Sequence, residues 1–262
     1  MKPITSRENG LYKDLKNLAA NSQARRKAGK TLLDGVHLCE AYLQQIGMPQ
    51  LCVVADTAHT HPEVAAILLK CEAQQVPCIS LPENLYQAIS QVENGVGILF
   101  VILTPAPVLP EMIEHTSVAL DGLQDPGNLG SLLRSAAAAG VKHVFCAPGT
   151  AFAWSPKVMR AGMGAHFLLN IYEQADLQSI LSVARIPVLA TSSHTQTTIY
   201  QANLKQAVIW LFGHEGQGVS PELMKMATQT VTIPQQAAIE SLNVAASAAI
   251  CLFEQVRQQL SV

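Results

Sequence analysis

Short apolar runs alternate with stretches of helical spacing along almost the whole chain, and this alternation restricts the fold more than any other feature. Strand–helix alternation is the pattern of sheets built with crossover helices. Residues 8–20 place Leu11, Leu15 and Leu18 on one helical stripe. Then "TLLDG" (31–35) reads as extended, "VHLCEAYLQQ" as a helix and "LCVVA" (51–55) as a strand. "PEVAAILLKCEAQQ" (62–75) reads as a helix, "VPCIS" (76–80) as extended, 83–91 as a helix and "GVGILFVIL" (95–103) as a buried strand. "TPAPVLP" (104–110) interrupts the series with three prolines in seven residues, a composition that suits a linker and no central strand. Beyond it the alternation restarts and runs to a long final helix. Ser220-Pro221 opens a short helix on the way, Ser as N-cap and Pro in the first turn. The expected architecture is α/β: a small N-terminal domain over 1–103, a linker over 104–110 and a second domain with a mostly parallel sheet over 111–262.

The 262-residue chain is 49% hydrophobic, with a mean hydropathy of +0.22, enough to bury a sizeable core. No apolar run reaches the roughly 18 residues of a membrane span. "MKPITSRENG" lacks the apolar stretch of a secretory signal, so a cytoplasmic location is expected. The six cysteines are scattered without a CxxC, the usage of reduced thiols and not of a disulfide framework. His59 and His61 have no supporting cysteine or acidic cluster, so no metal is expected. Net charge is −2, but eight of the 17 basic residues fall in the first thirty positions, where the local net charge is +6. Arg7, Lys13, Arg25, Arg26 and Lys27 in that segment are candidate contacts to RNA or DNA. A solvated helical face would explain them equally well.

In an open parallel sheet, ligands bind beyond the carboxyl ends of the strands. Three polar or Gly-rich loops lie there: "LQDPGNLGSLLRS", "FGHEGQGVSPEL" and "IPQQAAIESLNVAASAAI". Asn128 reads as the N-cap of a helix over 128–140 whose only charge up to Val141 is Arg134. That arginine must pair inside, reach into a cleft or snorkel to solvent. Glu215, among Gly213, Gly216 and Gly218, is its natural partner, or that of a ligand amine or hydroxyl. Ser241 also reads as a plain cap, whereas Asn243 beside an uncharged, alanine-rich stretch (244–253) is harder to dismiss. That stretch implies close packing, within the chain or against a second copy.

Taken together, "DPGNLGSLLRSA", "LFGHEGQGVS" and "IPQQAAIESLNVAASAAI" resemble the three motifs of the SpoU (TrmH-like) RNA ribose 2′-O-methyltransferases of the SPOUT superfamily. "SPKVMRAGMGAHF" and the N-terminal hundred residues also resemble members of that family. The resemblance implies a trefoil-knotted C-terminal domain, bound S-adenosylmethionine, an RNA substrate (ribosomal before transfer RNA) and a homodimer. It gives catalytic or near-catalytic places to Asn128, Arg134, Glu215, Ser241 and Asn243, and cofactor contacts to Gly213, Ile233 and Leu242. Gln235 and Ala237 depart from the Met and Gly common in the third motif, and His214 stands where Asn is common and is given no role. A guanidinium is a reluctant base, so Arg134 suits phosphate positioning and alkoxide stabilisation better than proton abstraction. The rivals are a catalytically silent RNA-binding adaptor, a nicotinamide-dependent oxidoreductase and a hydrolase. The glycines do not form GxGxxG after a first strand, and Ser241, His214 and Glu215 lack a nucleophile elbow.

Overall fold

The computed structural model describes residues 1–92, 95–192, 195–236 and 241–260. The chain forms two units, Met1–Pro105 with Trp154–Phe167, and Ala106–Ala153 with Leu168–Val262. The division between Pro105 and Ala106 falls inside the proline-rich stretch. Residues 154–167 depart from the expectation that 111–262 forms one body.

The first unit runs β1 (Lys2–Pro3), α1 (Gly10–Ala20), α2 (Ser22–Ala28), β2 (Lys30–Asp34), α3 (Val36–Gln45) and β3 (Leu51–Ala55). It continues with α4 (Pro62–Ala73), β4 (Cys78–Leu81), α5 (Glu83–Gln87) and β5 (Ile98–Leu103). Its sheet has the order β1-β4-β3-β5-β2, with β1, β4 and β3 parallel and β5 antiparallel to both β3 and β2. Helix α2 was not foreseen: SQARRKA has no apolar stripe, and its ends hold it. Asn21 accepts from Gln23 N and Ala24 N, and Gly29 closes the helix at φ 59°, where glycine alone is unstrained. Segment 154–167 joins this unit because Thr31 Oγ1 donates to the Trp154 carbonyl (2.6 Å) and Phe167 packs edge-on against Tyr42.

The second unit contains β6 (Ser117–Asp121), α6 (Pro126–Ala138) and β7 (His143–Cys146) before the chain leaves it through α7 (Pro156–Gly162). It returns with β8 (Asn170–Tyr172), α8 (Leu177–Ser182), β9 (Val188–Thr191), β10 (Ile209–Gly213), α9 (Pro221–Met224), β11 (Gln229–Val231) and α10 (Val244–Leu260). The strand order is β11-β9-β10-β6-β7-β8, and every pairing is parallel. Central strands of such sheets are covered on both faces, so they read as continuous apolar runs and not as alternation. "IWLFG" of β10 is buried throughout. From β6 the chain winds outward to β7 and β8, then crosses back to the other side of β6. The order therefore reverses between β6 and β10, where a doubly wound sheet opens a crevice at its carboxyl edge.

Helix α6 begins at Pro126, two residues before the expected start. Asp125, not Asn128, is the N-cap: its Oδ1 accepts from Asn128 N at 2.7 Å, and Pro126 takes the first turn. Leu129, Leu132, Leu133 and Ala136 are buried. Helix α10 lies against α6, and its buried Ala245 and Ala248 permit close approach. A buried amide fixes α10 to the sheet. Gln255 accepts from Trp210 Nε1 (2.8 Å) and donates to Thr116 Oγ1 and the Gln206 carbonyl.

Candidate active site

The loops following β6, β10 and β11 meet at the strand-order reversal around a cavity of about 970 Å³. Gly213, Ile233, Leu242, Asn128, Glu215, Ser241 and Asn243 all line it, as does Gln235. Ala237 lies outside the described residues. Gly213 is a place where a side chain cannot exist. A Cβ there would stand 2.0 Å from Gly218 C and 2.1 Å from Val219 N, so glycine lets the two arms of the 213–219 turn touch. Three glycines of the wall (Gly213, Gly216, Gly218) offer main chain alone, and Val231, Ile233, Leu242, Val244 and Met224 add apolar residues. Main-chain donors and acceptors beside apolar side chains suit a nucleoside-sized ligand, and the volume lies within the usual range for ligand sites.

Three side chains tie the loops together. Glu215 accepts from Gln124 N (3.1 Å), Asp125 N (3.0 Å) and Asn128 Nδ2 (3.2 Å). Asn128 Oδ1 in turn accepts from Asn243 Nδ2 at 2.8 Å. Asn243 Oδ1 accepts from Ala245 N and Ala246 N and caps α10. The carboxylate at one end sets the polarity of the whole chain. An acceptor-only group forces the Asn128 amide to present its NH₂ to Glu215 and its oxygen to Asn243. Burial pushes the Glu215 carboxyl up, but the N–H groups of Asp125, Glu215 itself and Gln124, with the Asn128 amide, outweigh it and hold the group below the ordinary glutamate value.

Several expectations change here. Asn243 is the cap that Ser241 was expected to be. Because Asp125 caps α6, the Asn128 side chain is released for the chain of amides. Arg134 does not meet Glu215: it is exposed on α6, outside the cavity lining, and forms no hydrogen bond or ion pair among the described residues. Sequence reasoning passed over Asp125, although Pro126 directly after it was a usable signal. In the N-terminal segment, Arg7, Arg26 and Lys27 are exposed, and Lys13 pairs with Glu8 at 2.6 Å. Arg25 is no surface cation. It is 5% exposed, and its Nη1 donates to the carbonyls of Leu18 and Ala19 at the end of α1. Those orphan helix-end carbonyls hold its charge, so Arg25 leaves the set of phosphate contacts.

A parallel α/β unit with a glycine-rich crevice at its strand-order reversal defines a class of nucleotide- and nucleoside-cofactor domains. Within it, this chain belongs to the SpoU rRNA Methylase family, whose model matches residues 115–253. It is 32% identical over 261 residues to a Synechocystis sp. protein described as an uncharacterized tRNA/rRNA methyltransferase, covering 98% of this chain and 94% of that one. It is 28% identical over 256 residues to a 23S rRNA (guanosine(2553)-2'-O)-methyltransferase of Bacillus subtilis, covering 97% and 98% of the two chains. The solved structure of an AdoMet-bound rRNA methyltransferase from Sinorhizobium meliloti matches with a TM-score of 0.86 at 26% identity, covering 98% of this chain and 97% of that one.

Among the described residues no group of three or more His, Cys, Asp or Glu could hold a metal ion, and no helix is long and apolar enough to cross a membrane. All six cysteines are free and buried.

Proposed function

We propose that this protein methylates a ribose 2′-hydroxyl in RNA, ribosomal RNA before transfer RNA, with S-adenosylmethionine as donor. The observation that carries the reading is the Glu215–Asn128–Asn243 chain, which joins three loops into one wall of a nucleoside-sized cavity. The activity named for the 23S rRNA relative, which spans nearly the same length, supports the choice of RNA.

Gly213, Ile233 and Leu242 would hold the cofactor, chiefly through main chain. When bound, it supplies an electrophilic methyl group for an incoming oxygen. The work of the chain's own residues is positioning. Glu215, Asn128 and Asn243 satisfy one another and keep the loops in register, and Ser241 offers its hydroxyl at the cavity. Arg134, exposed and free of any described partner, presents a planar fork suited to the phosphate beside the target ribose and to charge developing on its oxygen.

The rest of the reading follows the family. The second unit carries a trefoil knot. Two copies pair through the outer face of α10, where Ala246 and Phe253 are exposed. The first unit binds RNA through Arg7, Lys13, Arg26 and Lys27, and the protein works in the cytoplasm. Labelled methyl transfer to ribosomal RNA, with 2′-O-methylation mapped in RNA from cells with and without the gene, tests the function. Transfer to protein or to free nucleosides alone would refute it.

A further inference from the structure

His214 turns its ring back onto its own loop. Nδ1 accepts from Gly216 N at 2.9 Å and from Gln217 N at 3.3 Å. The main chain closes the same turn, with His214 N donating to Gly218 O (3.0 Å) and Gly218 N to His214 O (2.8 Å). Of these bonds, the two to the ring require an Nδ1 without a proton. At the tip, Glu215 reaches across to Gln124, Asp125 and Asn128.

We propose that His214 is a positioning residue whose neutral imidazole holds the 214–218 turn closed, so that Glu215 reaches Asn128, and whose protonation opens it. The inference rests on the proposed function only for its last readout. An imidazolium carries N–H at both nitrogens. Protonated Nδ1 would therefore face two backbone N–H donors, turning two attractive contacts into repulsive ones. The neutral ring favours the closed turn and the charged ring the open one, so closure is lost as pH falls through the histidine range.

The charged groups on the elements and loops around this turn are few. Asp121 at the end of β6 lies opposite Gly213 and accepts from Ser220 N (2.8 Å). Helix α6 carries Asp125 at its cap and Arg134, α9 carries Glu222 followed by Lys225, and Glu215 is the turn's own carboxylate. His194 and Glu240 lie outside the described residues.

Asparagine gives the control. Its side-chain oxygen can accept from N–H groups two and three residues on, as in an Asx turn, and it does not titrate. The experiment compares the full-length protein with its His214→Asn and His214→Ala variants at pH 7.5 and 5.5. It reads the imidazole nitrogen shifts of His214, amide protection factors at Gly216 and Gln217, S-adenosylmethionine titration, and methyl transfer to ribosomal RNA. In the unsubstituted protein, Nδ1 is unprotonated at pH 7.5, and protection falls about tenfold at pH 5.5, the scale of losing two ordinary hydrogen bonds. His214→Asn keeps its protection at both values, and His214→Ala is poorly protected at both. The pH 5.5 to 7.5 ratio of methyl-transfer rates should be flatter in His214→Asn. An unsubstituted protein with equal protection at both pH values, or a His214→Asn variant with the same drop, overturns the proposal. The shifts and amides are read without RNA, so missing methyl transfer would count against the proposed function and leave His214 to be decided by protection.

Discussion

Replacing Glu215 tests whether the three loops are held as the hydrogen bonds indicate. Glu215→Ala removes the acceptor of three bonds, from Gln124 N, Asp125 N and Asn128 Nδ2. The carboxylate is exposed, so water replaces part of each bond, and ~0.7 kcal/mol apiece is a suitable net value. The sum, ~2 kcal/mol, lowers the closed-loop population about 30-fold. Glu215→Gln keeps one oxygen. The one that accepts from Asp125 N and Asn128 Nδ2 survives, but the new NH₂ faces Gln124 N, so roughly one bond is lost, ~1 kcal/mol or about fivefold. Alanine should therefore be several times worse than glutamine. Amide exchange at Gln124 and Asp125 reads the loop, isothermal titration with S-adenosylmethionine reads the cavity, and single-turnover methylation reads the outcome. A parallel acid titration has a definite sign. The folded-state value of Glu215 is held below its unfolded one, so its contribution is present above the ordinary glutamate range, about 4.3, and is lost as pH falls further. If Glu215→Ala leaves amide exchange and cofactor affinity unchanged, or if glutamine is worse than alanine, the loops are not held by this carboxylate.

Gly213→Ala should cost at least ~3 kcal/mol, because its Cβ would land on the Gly218–Val219 backbone and not on a side chain that can swing away; a melting temperature within a degree of the parent would contradict this. Arg25→Ala should lower the melting temperature by several degrees through loss of the α1 cap while leaving the salt dependence of RNA binding unchanged. Neutralising Arg7, Arg26 and Lys27 together should do the reverse, flattening the slope of log affinity against log salt with little change in melting. Arg134→Lys should fold and bind S-adenosylmethionine normally yet methylate RNA on the order of a hundredfold more slowly, since the charge stays and the bidentate fork goes; wild-type turnover would remove Arg134 from the mechanism.

How much of this could be read from the residues depended on the range of the interaction that decides each element. β3 and α3 were legible to the residue, because a buried parallel-type strand and a striped helix each carry their own signal. Helix α2 was not, since nothing within SQARRKA favours it over coil; Asn21 before it and Gly29 after it decide. The affiliation of 154–167 rests on contacts more than a hundred residues distant in sequence, Thr31 to Trp154 and Tyr42 to Phe167, which no local pattern encodes. At the site, seven of the eight side chains and glycines taken from the motifs line the cavity, all but Arg134, and their pairings were not legible. Glu215 looked like the partner of Arg134 because it is a carboxylate on a tight glycine-rich loop and Arg134 the lone charge of an apolar helix. Geometry gave the carboxylate to backbone N–H groups and an amide instead, and that choice has a consequence for Arg134. Its helix buries Leu129, Leu132, Leu133 and Ala136, while Ser131, Arg134 and Ala138 stand exposed along the outer face. A structural ion pair with Glu215 is therefore excluded as the reason for the arginine. A small-residue face around one unpaired guanidinium gives an external anion room to approach, and loses little stability if none comes. The absence of other charges on α6, which left an inside pair, a cleft or solvent open to the arginine, is explained as clearance around an exposed one.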